Sequence, residues 1–184
     1  CARLTRLASD AFRDASGRNR SDGNHKTDTS RKTLVQRYIR DPNLLDGYKY
    51  DLRVYAALTS VDPLRVFLYR EGLVRLATEK YADGGADLSR RCMHLTNYSL
   101  NESGQRMMLD ALHARLVAEA GEEAATATWH AVDDLVVKMA LSVEETLSTA
   151  LATSSRRAAF GHPNPPCFGL LGLDVLLDAA GKPY

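Results

Sequence analysis

The chain has 184 residues, 45% of them hydrophobic and 26% charged, with a formal net charge of +1. That length supports a single buried core, and the composition is that of an ordinary globular protein rather than a disordered, collagen-like or disulfide-stapled one. No apolar run approaches the ~20 residues of a membrane span, no secretory signal opens the chain, and Cys1, Cys92 and Cys167 lack any CxxC spacing, which fits a reducing, cytosolic setting without nucleic-acid or membrane partners.

The first 37 residues hold nine Lys and Arg against four Asp and no Glu. This basic lead-in is expected to face water. Residues 2–14 have the spacing of a short amphipathic helix, and Ser16–Thr33, polar and rich in Gly, Ser, Asn and Asp, predicts a mobile loop. "LVQRYIRDP" (34–42) is a β-rich run stopped by proline. Strands Gly47–Val61 and Arg65–Gly72 follow, joined by a turn at Asp62–Pro63, and "LVRLATEKY" (73–81) continues the sheet. Ala82–Arg91 is a second mobile loop, leading into "CMHLTNYSLN" (92–101). Helices are predicted over Leu109–Ala120 and Trp129–Leu151, the second from Trp129, Val132, Val136, Ala140, Val143 and Leu147 at three- and four-residue steps. After the breaker "GHPNPP", "CFGLLGLDVLLD" (167–178) is a near-continuous apolar strand, followed by a turn and the start of another strand. With no initiator Met and half a hairpin at the end, both ends read as cut. The pattern predicts an α+β fold. Its antiparallel sheet runs over Leu34–Ile39, Tyr48–Val61, Arg65–Arg70 and Phe168–Leu177, with the two helices outside it.

Strand periodicity puts Tyr48, Tyr50, Leu52, Val54, Ala56 and Leu58 on a core face. The opposite face opens with Lys49, Asp51 and Arg53. Three alternating charges form either a salt-bridge ladder in solvent or the wall of a cleft for a polyanion. Asp174 stands alone in an apolar strand. A buried, unpaired carboxylate costs several kcal/mol, so it is a partly exposed strand end, the partner of an Arg or Lys, or a ligand for a cation such as Mg²⁺. "HLTNYS" gathers side chains that hydrogen-bond backbone in turns, so a structured loop would account for it by itself.

Taken together these stretches carry a resemblance. "VQRYI", "DGYKYDLRVYAALTSVDPLRVFLYREGLVRLATEKY", "MHLTNYSLN" and "CFGLLGLDVLLDAAGKPY" resemble, in order and wording, the tubulin tyrosine ligase-like enzymes. These are ATP-grasp ligases that attach amino acids to glutamate side chains of tubulin tails or related proteins. The likeness runs from about Leu34 to Tyr184, which makes residues 1–33 a lead-in and 34–184 part of an ATP-grasp catalytic domain. It implies an adenine-reading hinge at Gln36, Tyr38 and Ile39, and nucleotide contacts at Lys49, Asp51 and Arg53. It implies that Arg75 holds the incoming amino acid and that His94, Thr96 and Asn97 meet the phosphate end of ATP. Tyr98 and Ser99 would continue that loop toward the amino acid, and Asp174 would be the first Mg²⁺ carboxylate. Arg75, His94 and Asn97 are thereby the candidate catalytic group.

The chain also departs from the family. It stops at Tyr184, before the Glu and Asn that complete the family's metal site, so its C-terminal metal-site strand is missing. The glycine- and lysine-rich segment that covers the phosphates is absent too, and a family lysine beyond "HLTNYS" is replaced, with Arg106 the candidate substitute. By itself the chain is expected to be inactive. The leading expectation is part of a polyglutamylase that uses ATP, Mg²⁺, free L-glutamate and the acidic C-terminal tails of tubulin or microtubules. It would work in the cytoplasm at the cytoskeleton, cilium, flagellum or basal body. A tubulin glycylase is the nearest alternative. A catalytically silent microtubule or ciliary binding protein and a ligase for a small carboxylate are the others.

Overall fold

The computed structural model describes residues 36–82, 89–97, 104–153 and 168–184. The chain divides into two units, Cys1–Ile39 and Arg40–Tyr184. In the first, residues 36–39 carry no regular secondary structure. The predicted helix at 2–14 and loop at Ser16–Thr33 lie outside the described residues, as does most of the predicted loop at Ala82–Arg91.

The second unit is built on one long antiparallel hairpin, β2 (Tyr48–Val61) and β3 (Leu64–Lys80), turning at Asp62–Pro63. β-Branched and aromatic residues at alternate positions suit such strands, and the alternation sorts the faces. Tyr50, Leu52, Val54 and Ala56 are buried with Val74 and Leu76 on one side. A two-residue strand, β1 (Leu44–Leu45), enters β2 through Asp46 and Gly47, whose φ angles of 51° and 84° are those of a tight primed turn. The seven-residue β5 (Gly169–Val175) pairs with Leu52–Leu58 on the edge of β2 away from β3, and the short β4 (Arg106–Met108) pairs with β3. All pairings among the described residues are antiparallel, and the two long helices lie on one face of the sheet. The fold is α+β, as the sequence predicts, and consistent with an ATP-grasp-type architecture.

Two helices cover the apolar face. α2 (Leu109–Ala120) spans the predicted residues and buries Leu109, Leu112 and Leu116. α3 (Glu122–Thr153) starts seven residues before the predicted Trp129. The apolar period begins only at Trp129, but Ala and Glu are strong helix formers, and Glu122 and Glu123 complement the helix N-terminus. Its buried stripe is Ala125, Val132, Val136 and Ala140, and Val143, which the period puts on the same stripe, is exposed. Each fully buried side chain in this core stabilises the fold by roughly 1.5–3 kcal/mol.

Of the expected strand Leu34–Ile39, the described residues 36–39 carry no strand, and the first two lie outside the described residues. Within the second unit antiparallel pairing begins at Pro42, opposite Asp178. There Asn43 N–H donates to the Leu177 carbonyl at 2.9 Å and Ala179 N–H to the Asp41 carbonyl at 2.8 Å. β propensity describes fitness for a pleated surface and does not supply a partner strand. The predicted second strand after β5 does form a hairpin: Leu176 and Tyr184 exchange both backbone hydrogen bonds, at 3.0 and 2.8 Å.

Candidate functional site

The sheet face turned away from α2 and α3 carries the charges. Lys49 and Asp51 are only 4% and 5% exposed, which excludes a ladder in open solvent at this end of β2. Register explains how buried charges are tolerated. Asp51 lies opposite Arg75 of β3, and Arg53 lies opposite Asp174 of β5. Arg75 donates from Nε to Asp51 Oδ1 at 2.6 Å and from Nη2 to Oδ2 at 2.5 Å. Its Nη2 also reaches Asp174 Oδ2 at 2.9 Å. Arg53 donates to the two Asp174 oxygens at 2.6 and 3.3 Å. The Thr96 hydroxyl donates to Asp51 Oδ2 at 2.5 Å. Two acids and two arginines from three strands thus form one network, tied to a loop by Thr96.

The electrostatics follow from the packing. Burial pulls the Lys49 ammonium down to about 8, with Asp51 pulling it back up. Burial also works against the Arg75 cation, but its bonds to Asp51 and Asp174 outweigh this and raise its pKa. At Asp174 burial favours the neutral acid, yet hydrogen bonds from Arg53 and Arg75 hold its pKa below the ordinary value. Three cations against two carboxylates leave this face positive.

A single-turn helix, α1 (Arg91–His94), closes one end of the face. Met93 and His94 are buried, and His94 meets the Tyr81 ring edge-on at 5.9 Å between centroids. Arg90 beside it donates to Glu79 at 2.9 Å. The segment that follows brings in Thr96, 6% exposed, and half-buried Asn97.

Of the sequence-predicted site residues, Lys49, Asp51, Arg53, Arg75, Thr96 and Asp174 share one face. His94 and Asn97 flank Thr96 in sequence. Tyr98 and Ser99 lie outside the described residues. Gln36, Tyr38 and Ile39 belong to the first unit, where they lie in irregular backbone rather than the hinge strand the sequence predicts.

A Mg²⁺ ion prefers oxygen donors and commonly takes one or two protein carboxylates, with phosphate and water completing its shell. Asp174, with its side chain 43% exposed, is a carboxylate of that kind. Asp51 is fully engaged. No group of three His, Cys, Asp or Glu gathers into a metal cage among the described residues. The donor set fits an ion shared with phosphate and does not fit a closed structural site.

The chain matches the tubulin-tyrosine ligase family over residues 9–184. It belongs to that family. Similar curated proteins include human tubulin polyglutamylase TTLL5, 36% identical over 166 residues, 82% of this chain and 12% of the relative. Mouse tubulin polyglutamylase TTLL6 is 37% identical over 160 residues, 82% and 19% respectively. Mouse tubulin polyglutamylase TTLL7 is 37% identical over 165 residues, 82% and 18% respectively. The chain therefore spans 12–19% of the length of these relatives.

Motif reading of this tubulin-tyrosine ligase family chain missed two things. One is that Asp51 is the hub holding Arg75 and Thr96, which no local pattern signals because its partners are 24 and 45 residues away. The other is Gly72, opposite Val54, where an added Cβ would lie 2.4 Å from the Arg53 carbonyl and 2.9 Å from Leu109 Cδ1. A glycine inside a β pattern is the one available hint of so close an approach. A separate cavity of about 330 Å³, lined by Val54, Leu68, His113, Trp129 and Val132, opens on the helix side and is remote from the charged face.

Proposed function

We propose that this chain supplies the phosphate- and amino-acid-binding face of an ATP-dependent ligase that joins glutamate to glutamate side chains of tubulin tails. The observation that carries this reading is the gathering of Lys49, Arg53, Arg75, Thr96 and Asp174 around the buried Asp51 on one sheet face. The names of the relatives, all tubulin polyglutamylases, supply the substrate class.

In this reading the tail carboxylate attacks the γ-phosphate, forming an acylphosphate and releasing ADP. The amine of free glutamate then attacks the acyl carbon, expels phosphate and leaves an amide. Charge grows on phosphoryl oxygens in the first step, so fixed cations there supply most of the catalysis. Lys49 would face the phosphates, and Thr96 and Asn97 would bound their far end beside His94. Asp174 would take the Mg²⁺ that shields the phosphate charge when ATP is bound. Arg75 suits an α-carboxylate because a guanidinium binds both oxygens in one plane. Gln36, Tyr38 and Ile39 would read adenine, with Tyr98 and Ser99 toward the amino acid. In this reading the protein would work in the cytoplasm at the cytoskeleton, with cilia, flagella and basal bodies as the settings where such tails are modified. No helix among the described residues is long and apolar enough to cross a membrane.

The test is to incubate the full-length protein with Mg²⁺, ATP, microtubules and either glutamate or glycine, and to read the tails by mass spectrometry. ATP-dependent glutamate increments on tail glutamates are expected. Glycine increments, or none from protein that binds ATP, would overturn the reading.

A further inference from the structure

The amino-acid clamp of the proposed ligase is held shut by the chain's own carboxylates. Arg75 turns its Nε–Nη2 edge onto Asp51, at 2.6 and 2.5 Å, and Asp174 holds the other side of Nη2 at 2.9 Å. A free α-carboxylate needs two N–H groups on one guanidinium edge. The edge left to it is Nη1–Nη2, and Asp174 covers half of that edge.

The two acids differ in a way that matters. The Asp51 side chain is 7% exposed and accepts from both Arg75 and Thr96, so it is a fixed anchor. The Asp174 side chain is 43% exposed and lies where a solute can reach it. Asp174 is also shared, with Arg53 on both of its oxygens. We infer that Asp174 is a displaceable plug on the Arg75 fork, so that a divalent cation at Asp174 opens the fork to the amino acid's carboxylate while Asp51 keeps it aimed.

The warrant is competition for lone pairs and charge. A dication bound to the Asp174 oxygens takes the electron density that the two guanidinium groups now share, and it repels both of them. Arg75 does not drift away, because its Nε–Nη2 edge stays on Asp51. What it loses is its second partner, and a substrate carboxylate replaces that partner at little reorganisation. By linkage the cation and the amino acid then tighten each other's binding. Glutamate would follow the metal nucleotide into the site, which prevents an idle amino acid from occupying the clamp before ATP arrives. The inference rests on the proposed ligase reading and adds to it an order of binding and its physical cause.

Calorimetry on the full-length protein tests this. L-glutamate is titrated into protein alone, with ADP in EDTA, with Mg²⁺, and with ADP plus Mg²⁺. Exposing one charge-assisted bond is expected to tighten glutamate about tenfold in the ADP plus Mg²⁺ arm, where phosphate completes the ion's shell, relative to the metal-free arms. Asp174→Asn, whose neutral amide grips guanidinium weakly, is expected to bind glutamate at the tighter level without metal and to gain nothing from magnesium. Wild-type affinity that ignores magnesium, or an Asp174→Asn affinity no better than metal-free wild type, overturns the plug alone. Absence of glutamate binding in every arm overturns the clamp, and the glutamate-ligase reading with it. The wild-type arms need no variant, so a folding defect in Asp174→Asn leaves the test standing.

Discussion

Lys49 offers a sharp perturbation of the phosphate end of the proposed site. It is 4% exposed, and burial has pulled its ammonium from 10.5 to about 8. A phosphate placed beside it would favour the charged form again, so nucleotide binding should draw a proton from solution. With a folded pKa of about 8, uptake should be roughly 0.1 proton at pH 7, roughly 0.5 at pH 8 and roughly 0.9 at pH 9. The ligand adds little of its own there, because a terminal phosphate with a second pKa of about 6 is already ionised. The assay is calorimetric titration of a non-hydrolysable ATP analogue in paired buffers of different ionisation enthalpy, at the three pH values.

Lys49→Met keeps the apolar stem and removes the titrating group. It should abolish the uptake and weaken the analogue about ten- to a hundredfold, the loss of one charged hydrogen bond. Its effect on the ligand-free protein should have the opposite sign. Below pH 8 the folded state holds a buried ammonium that the unfolded state carries in water. The cost is about 3 kcal/mol, and it disappears as pH rises from about 8 to 10.5, where only the unfolded chain still binds the proton. The variant should therefore be more stable at pH 7 by up to that amount, and it should lose the rise in stability toward high pH. Equal proton uptake in variant and wild type, or unchanged analogue affinity, would refute the placement of phosphate at Lys49.

Other substitutions separate structure from substrate binding. Arg75→Ala leaves Asp51 buried without its arginine, and breaking such a pair costs roughly 3–5 kcal/mol, read as a lower urea midpoint. Arg75→Lys keeps the charge but not the planar fork. It should raise the Michaelis constant for glutamate much more than that for ATP in steady-state kinetics, and equal effects would argue against the clamp. Gly72→Ala should destabilise by about 1–3 kcal/mol in chemical denaturation, because its Cβ meets rigid backbone at the Arg53 carbonyl. Leu112, fully buried on α2, should cost about 2–5 kcal/mol on truncation to Ala, with Mg²⁺ and nucleotide affinity unchanged because it sits on the opposite side of the sheet.

The regular elements were legible because their signals are local. Alternation from Tyr48 to Leu58 marks the strand and its core face, and the helix predicted over Leu109–Ala120 coincides with α2. The start of α3 was less legible because seven residues of Ala, Thr and Glu carry propensity but little period. The candidate site was legible as residue types and became interpretable only with register. From the sequence, Lys49, Asp51 and Arg53 were a solvent ladder or a cleft wall, and Asp174 was paired or ligating. Both pairs of alternatives turn on which residue lies across the ladder, and the cross-strand partners are 24 residues away for Asp51 and 121 for Arg53.

That separation ties folding to site formation. Hairpin β2–β3 brings Asp51 to Arg75 through a contact of modest range, so this pair can form as soon as the hairpin closes. Arg53 and the outer side of Arg75 find their partner only when β5 docks on the far edge of β2, after α2 and α3 have been traversed. Until then the face carries Lys49, Arg53 and Arg75 against Asp51 alone, an excess of positive charge beside an incomplete sheet. Such late, long-range pairings carry the entropy of closing a large loop, and here β5 contributes Leu173 and Val175 to the core as well as Asp174 to the charged face. The same docking step therefore completes the core and neutralises the arginines. A sheet without β5 would lose both, which is why Asp174 is expected to be in place in every folded molecule while its pairing with Arg75 remains free to change.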